Sequence, residues 1–186
     1  MITYRVLEGR DLAHYAAFLK QRSVDSLVMY FGYAVNHEHI DRLIVTMMDK
    51  PELHHVLLAE DDNFEPVATV HMAQMSSHEM ELGFMVAEQY RKQGVASGMM
   101  DFAMTWCRNR GFNNIFMHCL SYNAPIKHLV RKHGLEISTE GTEADARVTL
   151  PRTNIFSIGH EMFMRQQNLV NSNIKHHIQS FRRVLV

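Results

Sequence analysis

The segment 86–97 constrains this chain more than any other, because it joins two stretches of different hydrophobic period. Residues 79–86 alternate along the chain as a strand does, and residues 95–110 carry apolar side chains at helical spacing. The first N–H groups of a helix have no partner within the helix and lie at the positive end of its dipole. Such an end binds pyrophosphate readily, and Gly94 and Ala96 keep side-chain bulk away from it.

This loop matches neither of the two common nucleotide-binding patterns. It is not a G-x-x-x-x-G-K-[ST] loop, and it contains no G-x-G-x-x-G. Taken alone, residues 91–96 favour an ordinary strand-to-helix turn over an anion site. The flanking segments therefore decide between an anion site and a structural turn.

Composition and charge exclude several classes of function. The chain has 186 residues and a formal net charge of −1, so nothing global indicates a nucleic-acid partner. No apolar run reaches the length of a membrane span, and the N-terminus lacks the apolar core of a signal peptide. We therefore expect a cytoplasmic protein without a membrane partner.

The metal-ligating residue types form no recognisable site in the sequence. Cys107 and Cys119 lie in apolar periodic segments, which favours buried thiols over a disulfide or a C-x-x-C motif. The histidine pairs lack acidic or cysteine partners at a ligand spacing. No metal is expected.

The hydrophobic pattern predicts a strand, two helices, three strands, a helix, a strand, a helix and a final hairpin over about residues 1–150. Residues 23–36 show no regular period. The predicted strands are 4–7, 55–60, 66–75, 79–86, 114–120, 135–139 and 144–150, and the predicted helices are 11–21, 37–48, 95–110 and 124–133.

Three segments resemble motifs of the GNAT superfamily of N-acetyltransferases. Arg91-x-x-Gly94-x-Ala96 after a strand resembles the acyl-CoA pyrophosphate loop, and Glu81–Val86 resembles the fourth strand of that fold. Ser121-Tyr122-Asn123, followed by Leu129 and by Lys132–Leu135, is similar to the family's later motif, and the predicted element order is the family's order.

The resemblance implies an α/β (α+β) fold with a mixed central sheet of about seven strands flanked by four helices. Residues 1–150 would form the acyltransferase domain, and residues 151–186 would form a C-terminal helical extension. The fourth and fifth strands would splay apart, and the acyl-CoA arm would enter the gap.

The resemblance also implies the site residues. Glu81 stands where related enzymes carry the base that deprotonates the attacking amine. The residues expected to bind acetyl-CoA are the backbone of Met85 and Val86, the loop residues Arg91, Lys92, Gln93, Gly94, Val95 and Ala96, the hydroxyl of Ser97, and Asn123. Asn123 could instead simply cap the following helix.

One position departs from the family. Val130 stands where many members carry a tyrosine that protonates the departing thiolate. Either no side-chain acid is needed or another group serves, of which Tyr122 is a nearby example. In lacking this tyrosine, and in carrying Ser26-Leu27 and Tyr30-Phe31, the chain resembles the bacterial branch of the family that contains protein lysine acetyltransferases.

The expected function is transfer of an acetyl group from acetyl-CoA to a primary amine, on a small molecule or a protein lysine. A non-catalytic acyl-CoA-binding or sensor module is the alternative. Tyr30 and Tyr33 could line the acceptor cleft or serve as ordinary core and rim aromatics.

The segment 151–186 has a formal charge of +4, with five lysines or arginines and one acidic residue. We expect one helix through residues 162–170 and a second capped by Ser172. The second would have an apolar face (Ile174, Ile178, Phe181, Leu185) opposite a basic one (Lys175, Arg182, Arg183). It could pack on the domain or on a second subunit of a homodimer, cover the acceptor side, or bind an acidic partner.

Overall fold

A computed structural model describes residues 1–7 and 11–184, with side chains up to Ser180. The strands are β1 (Thr3–Val6), β2 (His54–Glu60), β3 (Pro66–Gln74), β4 (Glu79–Val86), β5 (Asn114–Leu120), β6 (Glu136–Glu140) and β7 (Glu143–Thr149). The helices are α1 (Leu12–Lys20), α2 (Val24–Phe31), α3 (His37–Asp49), α4 (Val95–Asn109), α5 (Ala124–Lys132) and α6 (Ile155–Val184).

The seven strands form one mixed sheet in the order β1-β2-β3-β4-β5-β7-β6. All neighbouring strands are antiparallel except β4 and β5, which are parallel. The alternation of β4 places Met80 and Leu82 in the core under α4 and α5, and it places Met85 in the core under α1, α2 and α3. The predicted fold class is confirmed.

The structure adds a helix that the sequence did not predict. Ser23 begins α2 by accepting a hydrogen bond from the Ser26 N–H, and Gly32 ends it in a left-handed conformation with φ of 81°. Only Ser26 and Leu27 of its eight residues are buried, so no long apolar stripe reveals it in the sequence. In residues 1–7 and 11–154, five helices, rather than four, therefore flank the sheet.

The C-terminal extension also differs from the prediction, because α6 is one continuous helix and Ser172 caps nothing at its start. Lys175 is buried, and its Nζ donates to Thr3 Oγ1 (2.7 Å) and to the carbonyls of Glu60 (3.0 Å) and Asp61 (2.6 Å). Ile174 and Ile178 are exposed. The apolar and polar faces are therefore separate, as predicted, and it is the face with Lys175 that lies against the domain. The Phe181, Arg182 and Arg183 side chains and all of Leu185 lie outside the described part.

The carbonyls at the end of β2 explain why Lys175 lies on the inner face. Buried backbone oxygens need hydrogen-bond donors, and an ammonium group supplies three. A hydrophobic period cannot show that requirement. No helix within residues 1–7 and 11–184 is both long and apolar enough to span a membrane.

Candidate functional site

The parallel strands β4 and β5 separate soon after they begin. Glu79, Met80 and Glu81 pair with Asn114, Ile115 and Phe116, and no further pair joins the two strands in the part of the chain that the structure describes. Both strands continue, to Val86 and Leu120. The β4 edge beyond Glu81 therefore faces a gap, where its backbone groups can pair with an extended ligand. The splay that the resemblance implied is present.

The predicted anion loop closes this gap at the end of β4. A 3-10 turn, Glu88–Tyr90, leads to Gly94, which precedes α4 with φ of 81° and no side-chain cap. A Cβ at Gly94 would meet no atom within 4 Å, so the backbone conformation, rather than space, requires glycine here. Lys92 is also left-handed, with φ of 61°. Two left-handed residues so close together turn the chain sharply into α4 and leave its first N–H groups uncapped by side chains.

The side chain of Arg91 turns towards the start of α2. It donates to Ser26 Oγ (2.7 Å) and to the carbonyl of Val86 (3.2 Å). Ser26 Oγ in turn donates to Glu88 (2.7 Å). This hydrogen bond, with smaller contributions from Ser23 and the backbone, lowers the pKa of Glu88 to about 2 despite an opposing effect of burial. Arg91 thus braces the loop, and its charge lies beside one of the β4 carbonyls expected to bind the acyl-CoA arm.

A second cation, which the sequence analysis did not assign, lies at the start of α4. Lys132 Nζ donates to Ser97 Oγ at 2.8 Å, and His133 Nε2 lies 3.0 Å from the same oxygen. His133 Nδ1 contacts Asp101 at 3.2 Å, which joins the end of α5 to the first turns of α4. In the sequence, Lys132 stands out only as part of a motif, and its position at the end of an amphipathic helix gave no indication of contact with Ser97.

Glu81 lies at the last residue pair before the gap, on the sheet face that carries α2. It is half-buried, and burial raises its pKa, while His118 lowers it and Asp145 raises it. His118 and Asp145 form a cross-strand pair between β5 and β7, with Nδ1 and Oδ1 2.9 Å apart. A carboxyl group with a raised pKa in a cleft is suited to exchanging protons.

Two tyrosines, Tyr30 and Tyr15, pack over the same sheet face. Gly83 lies two residues after Glu81, and a Cβ on it would come within 3.1 Å of Tyr30 Oη. The absence of a side chain therefore admits the Tyr30 ring, whose Oη contacts Tyr15 Oη at 2.7 Å. Burial raises the pKa of Tyr30 to about 12, so the hydroxyl stays neutral and serves as a fixed dipole near Glu81. Tyr33 is exposed at the rim.

Asn123 lies at the start of α5, where its Oδ1 accepts from the Ile126 N–H (3.3 Å) and its Nδ2 donates to the Met29 carbonyl (3.5 Å). It therefore caps the helix and ties α2 to the mouth of the gap. Val130 is buried in the core, and Tyr122 is exposed at the end of β5. Of these three, Asn123 is the one whose side chain hydrogen-bonds to both α2 and α5.

The structure thus brings Glu81, the end of β4 and the loop 91–97 to one cleft between β4 and β5. Residues that the sequence analysis missed, His118, Asp145 and Lys132, line its two ends. Within residues 1–7 and 11–184, no three His, Cys, Asp or Glu side chains gather as a metal site.

Comparison with known proteins identifies this architecture. The model of the acetyltransferase (GNAT) family matches residues 21–135, well over half of the chain. No curated protein matches the sequence significantly.

Solved structures with similar folds include the GNAT domain of S. lividans PAT (TM-score 0.66, 19% identity, 79% of this chain and 89% of that one). Spermidine N-acetyltransferase from Vibrio cholerae, in complex with CoA and spermine, has a TM-score of 0.60 and 16% identity, over 78% of this chain and 92% of that one. The structure of yncA from Salmonella typhimurium with acetyl-CoA has a TM-score of 0.64 and 14% identity, over 82% and 95%. At these identities the likeness concerns the fold.

Proposed function

This chain belongs to the GNAT family of acetyltransferases, enzymes that depend on acyl-CoA, and we propose that it transfers an acetyl group from acetyl-CoA directly to a primary amine. The proposal rests on the cleft. There, the edge of β4 beyond Glu81 is not paired with β5, and the loop after β4 ends at the start of α4, whose first N–H groups have no side-chain cap. We assign the acyltransferase domain to residues 1–150 and treat residues 151–186 as an extension.

The donor would lie along β4. Its pantetheine arm would pair with the backbone of Met85 and Val86. Asn123 would fix the opposite side of the cleft, at the start of α5. Its pyrophosphate would rest on the N–H groups of residues 91–96, where the α4 dipole and the Ser97 hydroxyl favour an anion. For the Val86 carbonyl to accept from the arm, the Arg91 side chain would share or release its present hydrogen bond.

The chemistry requires few groups. Glu81, as a carboxylate, would take a proton from the acceptor ammonium, directly or through water. The free amine would then attack the thioester carbonyl, and a β4 backbone N–H would stabilise the oxyanion as the C–N bond forms. Collapse of the intermediate breaks the C–S bond and releases the CoA thiolate. The nitrogen gives up its second proton to water as the amide forms, and the thiolate takes up one proton, so the step balances.

Val130 occupies the position where many family members carry the tyrosine that protonates this thiolate, and its side chain is buried in the core. A thiolate is a tolerable leaving group near neutral pH, since a thiol has a pKa of about 8.5. We therefore propose that solvent supplies the proton and that no side-chain acid is needed.

The experiment that tests the proposal measures binding and transfer separately. Native mass spectrometry of the whole chain with acetyl-CoA should show one ligand per subunit. A thiol-release assay with a panel of alkylamines, lysine peptides and spermidine, included because one similar structure is a spermidine N-acetyltransferase, should then show CoA production. Tight binding without transfer to any amine would favour the sensor alternative, and no binding would contradict both.

Lys132→Ala should weaken acetyl-CoA binding without affecting the chemical step. The ammonium lies at Ser97, beside the expected phosphates, and an exposed charge of this kind contributes about 1 kcal/mol, or about fivefold in Kd. Titration calorimetry should show this loss shrinking at high salt, with kcat unchanged. Arg131→Ala, on the preceding residue of α5, is the matched control and should bind normally; equal losses in both variants would contradict a specific role for Lys132.

A further inference from the structure

The helix α6 is amphipathic, but its polar face packs on the domain and its apolar face is exposed. The side chains that it turns towards β1 and α4 include Ser157, Glu161, Asn168 and Lys175, all hydrogen-bonded to the body. The outer face instead carries nine exposed large apolar residues: Ile155, Phe156, Ile158, Met162, Phe163, Leu169, Val170, Ile174 and Ile178. The apolar face is therefore not used in packing against the rest of the chain.

Two series in this outer face repeat every seven residues. Ile155, Met162 and Leu169 form one, and Phe156, Phe163 and Val170 form the other. A seven-residue apolar repeat keeps a helix in register with a neighbouring helix of the same repeat, as in coiled coils. The outer face therefore has the periodicity of a helix-pairing surface.

The size of this face is that of an interface. Weighted by their exposed fractions, its apolar side chains present on the order of 1,000 Å², whereas the largest patch on a typical monomer is about 300–600 Å². A standard stable complex buries about 800 Å² per partner. One such face meeting another is thus enough for a stable dimer.

The charge of the face restricts the partner. Between Ile155 and Ser180, the only exposed side chain with a formal charge is Arg165, and Glu161 pairs with it at 2.8 Å. An acidic protein or an anionic membrane would find no free cation along this stretch, although interfacial helices usually present several. An apolar, uncharged helix fits best, and a second copy of α6 has that chemistry.

We propose that the protein forms a homodimer about a twofold axis, in which the outer faces of α6 from two copies pack against each other. Each copy supplies the same patch, so the interface is self-complementary and closed. The polar inner face of α6 holds the helix on its own domain, and the apolar outer face joins the two domains.

The test is the mass of the whole chain in solution, measured by sedimentation equilibrium from about 0.1 to 100 µM, a range that covers dimers of ordinary affinity. The unmodified chain should be a dimer, and Phe163→Glu should raise the dimer Kd at least about 100-fold, as loss of a central aromatic anchor does. Met48→Glu, which adds the same charge at a similarly exposed apolar residue of α3, should stay dimeric.

A second measurement keeps the proposal testable if Phe163→Glu fails to fold. Phe163→Cys should form a covalent dimer with a short bismaleimide, and Met48→Cys should not, because both native cysteines are buried. A monomeric unmodified chain throughout the range, with or without lipid vesicles that bind it, would overturn the proposal. Equal dimerisation of a folded Phe163→Glu variant would overturn it as well.

Discussion

Glu81→Gln should lower kcat by about 10² to 10⁴ while the Kd for acetyl-CoA stays within about twofold, because the carboxylate acts on the acceptor proton and not on the donor. Glutamine keeps the shape and the half-buried position but cannot take a proton. The measurement is a steady-state rate with the best amine of the panel, together with acetyl-CoA binding by calorimetry. A loss in kcat without a loss in donor binding distinguishes a base from a structural residue.

The pH profile sharpens this expectation. Burial raises the pKa of Glu81, so the activity of the unmodified enzyme should fall as the pH is lowered through that raised value, where the carboxylate becomes protonated. The variant lacks this group, and it depends on amine that is already deprotonated. Its deficit should therefore shrink as the pH rises towards the pKa of the amine, about 10.4 for a lysine.

Glu79→Gln is the matched control for Glu81. Glu79 lies on the same strand and the same sheet face, two residues earlier. Its carboxylate points away from the gap and forms an ion pair with Arg147, with an N–O distance of 3.1 Å. Its activity should stay within about threefold of the unmodified enzyme, since an exposed ion pair contributes little. Parallel pH profiles for the enzyme and Glu81→Gln would remove Glu81 from the catalytic role.

The sequence predicted the fold best where the hydrophobic pattern of an element matches the face that the element buries. The alternation of β4 and the helical period of α4 are both long, and each buries its apolar face as the pattern indicates. The helix α2 was missed because eight residues with a serine cap and a glycine stop contain too little period to detect. Local hydrogen bonds of the cap, rather than a stripe, define it.

The candidate site also contains residues that the sequence could predict and residues that it could not. Glu81 and the loop 91–97 are close in sequence, and a motif can describe them. His118 and Asp145 meet Glu81 only through the register of β4, β5 and β7, which a single sequence does not show. Lys132 reaches Ser97 because α5 ends beside the start of α4. Such contacts depend on how elements pack, so spacing along the chain could not reveal them.

The helix α6 shows what a hydrophobic period alone leaves open. Its apolar stripe could have packed on the domain or on a second subunit, but the body of the protein offers the helix carbonyl oxygens at the end of β2 and a carboxamide at Asn109. Polar groups of the helix satisfy these, and the apolar stripe faces outward. The pattern correctly predicted an amphipathic helix, but which face is buried depends on the partner.

Gly94→Glu should abolish detectable binding of acetyl-CoA while leaving the protein folded. The backbone at Gly94 is left-handed, which costs a residue with a Cβ about 1–2 kcal/mol, and the new carboxylate would lie at the helix start expected to hold pyrophosphate. The strain lowers the stability of the protein, while repulsion of the pyrophosphate and displacement of the loop N–H groups that would bind it should raise the Kd at least about a hundredfold. Native mass spectrometry and calorimetry with acetyl-CoA would measure this loss.

Gly111→Glu separates the anion site from the backbone strain. Gly111 follows the opposite end of α4, has φ of 85°, and would place a Cβ where no atom lies within 4 Å, as at Gly94. The same substitution there carries the same strain, and a negative charge at a helix C-terminus adds a further stability cost. We therefore expect a melting temperature at least as low as that of Gly94→Glu, but acetyl-CoA binding within about twofold of the unmodified protein. If both variants lost binding equally, the loop would contribute only stability; if only Gly94→Glu lost it, the start of α4 is the anion site.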